Sequence, residues 1–149
     1  MNTPVDPLLA SGVADFGRAL GLSGFALDDQ GQARLKLPSG QQLRLLASGE
    51  ALLVQLECPL GFEGPELLER ALVAAGARQR FGSLQLGLRG RGSEQVLIVG
   101  RRLPARGSGG ASIGRTAEQL MEWFDALKQA GPSAARAGSS PASLFGFRP

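Results

Sequence analysis

Apolar residues near the start of the chain recur at helical spacing. Leu9, Val13, Phe16 and Leu20 fall at i, i+4, i+7 and i+11, one stripe of a helix from about Pro7 to Leu20. Asp6 suits the N-cap, Pro7 the first helical position and Gly21 the stop. After that the period falls to two. Leu35 and Leu37 share one face of a strand over Ala33–Leu37, and Leu43 and Leu45 share one face of a strand over Gln42–Leu46. Pro38-Ser39-Gly40 is the hairpin turn between them. A third strand, Leu52–Cys58, alternates Val54, Leu56 and Cys58 with Gln55 and Glu57. Such alternation predicts an antiparallel meander with one buried face and one polar face. Asp28-Asp29-Gln30-Gly31, just before the first strand, is ordinary turn chemistry rather than a paired acid site.

Pro59 ends the third strand, and a loop over Gly61–Gly64 leads to a helix from Pro65 to about Ala75. Leu67, Leu68, Ala71, Leu72 and Ala75 cover more than one side of it, so it must be buried twice over, inside a core or between two subunits. Glu66, Glu69 and Arg70 have the spacing of a helix-surface charge pattern. Leu84, Leu86 and Leu88 alternate on the next strand, and Arg89–Ser93 is a hairpin loop. Gln95–Leu103 is the most apolar strand, which predicts a central place in the sheet. The loop Ala105–Gly114 is glycine-rich and reads as flexible. A last helix, from about Arg115 to Ala130, turns Leu120, Met121, Phe124 and Leu127 to the core.

The order α-β-β-β-α-β-β-α predicts an α+β domain over residues 1–131: a twisted antiparallel sheet of about five strands packed with three helices. Residues 132–149 form a basic tail rich in Ser, Ala, Gly and Pro, expected to be flexible. Its one apolar cluster, Leu144-Phe145-Gly146-Phe147, has the composition to dock on a partner or on the same fold.

Charge and composition narrow the function. The net charge of +3 is uneven, with residues 1–100 summing to −1 and the remainder to +4. Arg101, Arg102, Arg106 and Arg115 therefore define one reading, a basic nucleic-acid-binding or regulatory module. No aromatics interleave with them, and a solvated loop explains them equally well. With no His and a single Cys, neither a zinc site nor a Ser-His dyad can be built, and no cofactor is implied. Cys58 in its apolar strand reads as a packed thiol, the alternatives being a reactive or dimer-bridging one. Apolar runs are too short to span a bilayer, and the first residues lack the basic and apolar regions of a secretory signal, so the cytoplasm is the expected compartment.

Two motifs in the glycine-rich loop invite a catalytic reading. Gly109–Thr116 fits a phosphate-binding loop except that Arg115 stands where Lys belongs. Such loops follow a strand of a parallel sheet, and the sheet expected here is antiparallel. Gly110–Gly114 fits a nucleophile elbow around Ser112, but the chain has no histidine to activate it. A binding protein fits better than an enzyme.

The order of elements resembles the class I type III secretion chaperones, the Tir-chaperone (CesT-like) family. The segments that carry the resemblance run from Phe16-Gly-Arg-Ala-Leu20-Gly21-Leu22 through Leu27-Asp28-Asp29-Gln30-Gly31 into Ala33–Leu37. It continues with Leu52–Leu56, Pro59-Leu60-Gly61, Phe81–Leu88, Gln95–Val99, Arg101–Pro104 and the Leu120–Leu127 helix, roughly residues 5–130 in all. The resemblance implies a cytoplasmic homodimer that binds the N-terminal region of secreted effectors and keeps it extended and secretion-competent. On this likeness Leu9, Val13, Phe16, Leu35, Leu37, Leu43 and Leu45 are candidates for client grooves, with ordinary core as the alternative. Leu67, Leu68, Ala71, Leu72, Leu84, Leu86 and Leu88 are candidates for the dimer contact. Members of the family are typically acidic, whereas this chain has a pI near 10.0, and its tail is a departure from the family pattern that would suit contact with the export machinery.

Overall fold

A computed structural model of the chain describes residues 4–61, 64–76 and 84–129. Three α-helices and five strands follow one another among them, as predicted: α1 Pro7–Ala19, β1 Gln32–Lys36, β2 Gln42–Ser48, β3 Ala51–Pro59, α2 Gly64–Gly76, β4 Gln85–Arg89, β5 Val96–Pro104 and α3 Gly110–Gln129. The tail with Leu144–Phe147, the segment Phe81–Ser83 and Ala130 lie outside the described residues. The strands form one sheet in the order β1-β2-β3-β5-β4, with every pair antiparallel. The expected central strand, β5, is interior, but β3 holds the middle. The chain leaves β3 through α2, returns as β4 at the edge, and β5 then folds back between the two.

Local sequence chemistry sets the ends of these elements. Asp6 caps α1, its Oδ1 accepting from the Leu8 N–H at 2.9 Å, with Pro7 at the first helical position. Past the other end, the Leu22 N–H donates to the Gly17 carbonyl and the Gly21 N–H to that of Arg18, closing the helix in a Schellman motif. Asp28 organises the approach to β1, its Oδ1 accepting from the Gln30 and Gln32 N–H groups at 2.8 and 2.9 Å.

One face of the sheet is buried under α1 and α3. Leu9, Val13 and Phe16 come down from α1, and Ile113, Leu120, Phe124 and Leu127 from α3. They meet Leu43, Leu45, Leu52, Val54, Leu56, Cys58, Leu97 and Val99 of the sheet in one apolar cluster. Trp123, which the sequence pattern does not single out, is fully buried there, and Met121 is only half-buried. The stripe on α3 is therefore broader than one row, as burial against both a sheet and helices requires.

The glycine-rich segment before the last helix is structured, contrary to expectation. Ala105–Gly107 makes a 3-10 turn and α3 already begins at Gly110. The turn is tied down by Ser108, whose Oγ donates to the Pro104 carbonyl at 2.7 Å. Its glycines let two backbones touch. A methyl group at Gly12 of α1 would overlap the Ser108 carbonyl oxygen, and one at Gly110 would lie 2.9 Å from the Phe16 nitrogen. Replacing Gly12 by Ala must push the helices apart, and chemical denaturation is expected to show a loss of roughly 1–3 kcal/mol. A methyl at Gly109 meets nothing within 4 Å, so Gly109→Ala should stay within about 0.5 kcal/mol of the parent.

Candidate binding surfaces

With the inner face closed, the chain offers three surfaces. The first is made by α2 and β4. Leu67 and Ala71, four residues apart, are buried against the core, and Leu68 is half-buried. The opposite side of the helix carries Leu72 and Val73, which are 61% and 55% exposed. On β4, Leu86 is half-buried and Leu88 is 44% exposed, while Leu84, just before the strand, is half-buried. One side of α2 therefore completes the core, and the other carries apolar side chains that are exposed on the single chain. Large apolar side chains left exposed on these two elements make each a candidate interaction surface.

The second surface is β1, an edge strand that among the described residues pairs only with β2. Leu35 and Leu37 are half-buried at its inner side, where Leu35 is the register partner of Leu43. The remaining groove candidates lie deeper. Leu9, Val13, Phe16, Leu43 and Leu45 are core, each 5% exposed or less, and present no groove wall on this single chain. The stripe on α1 and the inner face of β2 are both buried in one apolar cluster with α3 and the rest of the sheet. Periodicity shows that both are apolar, and only the packing shows that they share one core.

The third surface is the sheet face turned away from the helices. The register places Arg34 of β1 beside Arg44 of β2, and Leu53 of β3 beside Arg102 of β5. Glu57 of β3 lies on the same face and accepts two hydrogen bonds from Arg89 of β4, at 3.0 and 3.3 Å. That pairing holds the Arg89 guanidinium above its usual pKa. Arg44 reaches Gln32 at 2.9 Å and stands 3.9 Å from Glu57.

Other residues singled out in the sequence are held in structural roles or separated. Strand alternation puts Arg101 and Arg102 on opposite faces, and Arg101 donates to Gln119 of α3 at 2.8 Å. The apparent basic cluster is thereby split. Ser112 is the third residue of α3, in regular helix rather than on a strained turn. Arg70 keeps the i, i+4 pairing expected from the sequence, its Nη2 standing 3.7 Å from Glu66, but is itself buried. Its Nη1 donates to the Leu127 carbonyl at 2.8 Å and, at 3.4 Å, to that of Lys128, joining α2 to the open C-terminal carbonyls of α3. Among the described residues no helix is long and apolar enough to cross a membrane, and no group of three or more His, Cys, Asp or Glu side chains is placed to hold a metal ion.

Cys58 is fully buried, and burial pushes its thiol up to about 12 from 9.0. A thiol reagent at pH 8 should leave it unmodified in the native protein and label it only after unfolding. Because the unfolded chain releases this proton first, its contribution to stability is complete below pH 9.0 and declines as pH rises from there towards 12. A denaturation series is expected to show a loss on the order of 1 kcal/mol by pH 10 that Cys58→Ala removes.

No protein-family profile matches the sequence, and no curated protein matches it in sequence. Solved structures share its fold. A chain of the HopA1–SchA chaperone–effector complex superimposes with a TM-score of 0.61 at 20% identity, covering 85% of this chain and 100% of that one. The Yersinia pestis type III secretion chaperone SycH, solved with a stable fragment of YscM2, gives 0.61 at 12% identity, over 80% of this chain and 98% of that one. A chain of the ExsC–ExsE complex gives 0.57 at 21% identity, over 75% and 84%. The fold is thus the α+β fold of type III secretion chaperones.

Proposed function

We propose that the chain is a type III secretion chaperone of the class I, CesT-like kind: a non-enzymatic cytoplasmic homodimer that binds the N-terminal region of one or more secreted effectors. It keeps that region extended, soluble and ready for export. The observation that carries the reading is the shared fold, which spans 75 to 85% of this chain in three structures, two of them described as chaperones bound to an effector or a protein fragment. Two features of the chain itself agree with it. An extended client can add a strand to the open edge of β1 and set apolar side chains against Leu35 and Leu37. The outward side of α2, with Leu72 and Val73, and the exposed Leu88 of β4 supply an apolar patch for a second copy of the chain.

Two experiments test this. In the first, the tagged chain is used to capture proteins from its host's lysate at moderate salt, followed by mass spectrometry and truncation of what is bound. Recovery of a secreted protein held through its N-terminal region is expected; recovery of nothing, or of nucleic acid alone, would refute the reading. In the second, light scattering measures the mass of the wild type and of Leu72→Glu. Because Leu72 is exposed in the single chain, the variant should keep its circular dichroism and weaken the dimer at least about a hundredfold. A wild-type monomer at micromolar concentration, or an unchanged dimer in the variant, would exclude this patch as the contact.

A further inference from the structure

The charges on the outer sheet face do not balance. Arg34, Lys36, Arg44, Arg89 and Arg102 share it with a single carboxylate, Glu57. Glu57 is already committed to Arg89 and Arg44, and its side chain is only 9% exposed. Arg34, Lys36 and Arg102 are exposed and form no ion pair among the described residues. Arg34 and Arg44 stand directly opposite each other on neighbouring strands, an arrangement that costs stability unless an anion lies between them. Arg44 adds a buried Nε with no hydrogen-bond partner among the described residues. Between the cations run half-buried apolar side chains, among them Leu53 and Ile98.

We propose that this face receives an acidic client segment in which carboxylates meet the Arg34–Arg44 pair and Arg102 while apolar side chains rest on Leu53 and Ile98. Charge complementarity names the occupant. The apolar strip between the cations favours a polypeptide over a phosphate backbone, and no aromatic side chain lies on this face among the described residues to stack on bases. Five strands give the face a width of about 20 Å, which about six residues of extended chain would cross. That the segment belongs to a secreted protein rests on the chaperone reading; the charge requirement rests on the face alone.

The test uses the full chain and labelled synthetic peptides of about a dozen residues alternating Glu with Leu, together with versions carrying Gln or Lys in place of Glu. Anisotropy at about 0.15 M salt should show the Glu peptide binding at least about tenfold tighter than the Gln peptide. The double variant Arg34→Glu with Arg102→Glu alters two exposed positions and should leave the fold intact by circular dichroism. It should lose about tenfold for the Glu peptide and gain affinity for the Lys peptide. Equal binding of the Glu and Gln peptides, an unaffected double variant, or tighter binding of a single-stranded oligonucleotide than of the Glu peptide would each overturn the proposal. Client capture separates this outcome from that of the chaperone reading. If wild type and double variant retain the same secreted protein equally, the acidic-segment proposal fails and the chaperone reading stands. If no secreted protein is captured while the Glu peptide still discriminates, the face is an acidic-peptide site and the chaperone reading fails.

Discussion

The inner half of this protein depends on α1 and α3 meeting backbone to backbone. At Gly12 and Gly110 there is no room for a side chain, because the Ser108 carbonyl and the Phe16 backbone occupy it. That contact sets the height of both helices over the sheet. Leu9, Val13 and Phe16 can then reach the same inner leucines as Ile113, Leu120 and Phe124 without leaving a gap. Interiors packed at crystal-like density tolerate little change in such a spacing. The other end of α3 is held differently, by the buried Arg70 guanidinium on its last carbonyls. A close backbone contact at one end and a charged clamp at the other fix α3 between its neighbours.

This arrangement gathers the apolar side chains of α1, α3 and the inner sheet face into one core. What remains outside is sorted by element. The outward side of α2 keeps Leu72 and Val73, β4 keeps Leu88, and the outer sheet face is dominated by arginine. These surfaces differ in what they attract. An exposed apolar patch gains by excluding water and suits a permanent partner such as a second copy. A cationic sheet face with an apolar strip gains orientation and association rate from charge, and suits a partner that comes and goes.

Likeness to solved secretion chaperones at 12 to 21% identity is what this logic allows. The fold needs an apolar stripe at helical spacing, alternating strands and turn residues in order. It does not need particular side chains at most positions. The surfaces are under no such constraint. Surfaces outside the core are therefore where proteins of one fold can differ in what they bind.

The sequence by itself determined the order and type of the elements, because each follows from a local rule. Asp6 and Pro7 start α1, period-two leucines make β1, β2 and β3, and Pro59 sits at the end of β3. It also determined that α2 carries apolar residues on more than one side, whereas Arg101 and Arg102, read as one basic group, are parted in the structure by strand alternation. It left open which apolar face meets which. Leu43 and Leu45 carry the same pattern whether they line a groove or a core, and only the packing of helices and sheet into one cluster buries them. Ala105 to Gly114 read as a flexible loop because glycine lowers local order; in the structure α3 already begins at Gly110, where the α1 backbone packs against it. Trp123 and Arg70 likewise take their roles from elements far away in the chain. Local periodicity specifies faces. Contacts between faces depend on long-range packing, which no window of sequence contains, and that packing decided which leucines are core and which surfaces remain to bind.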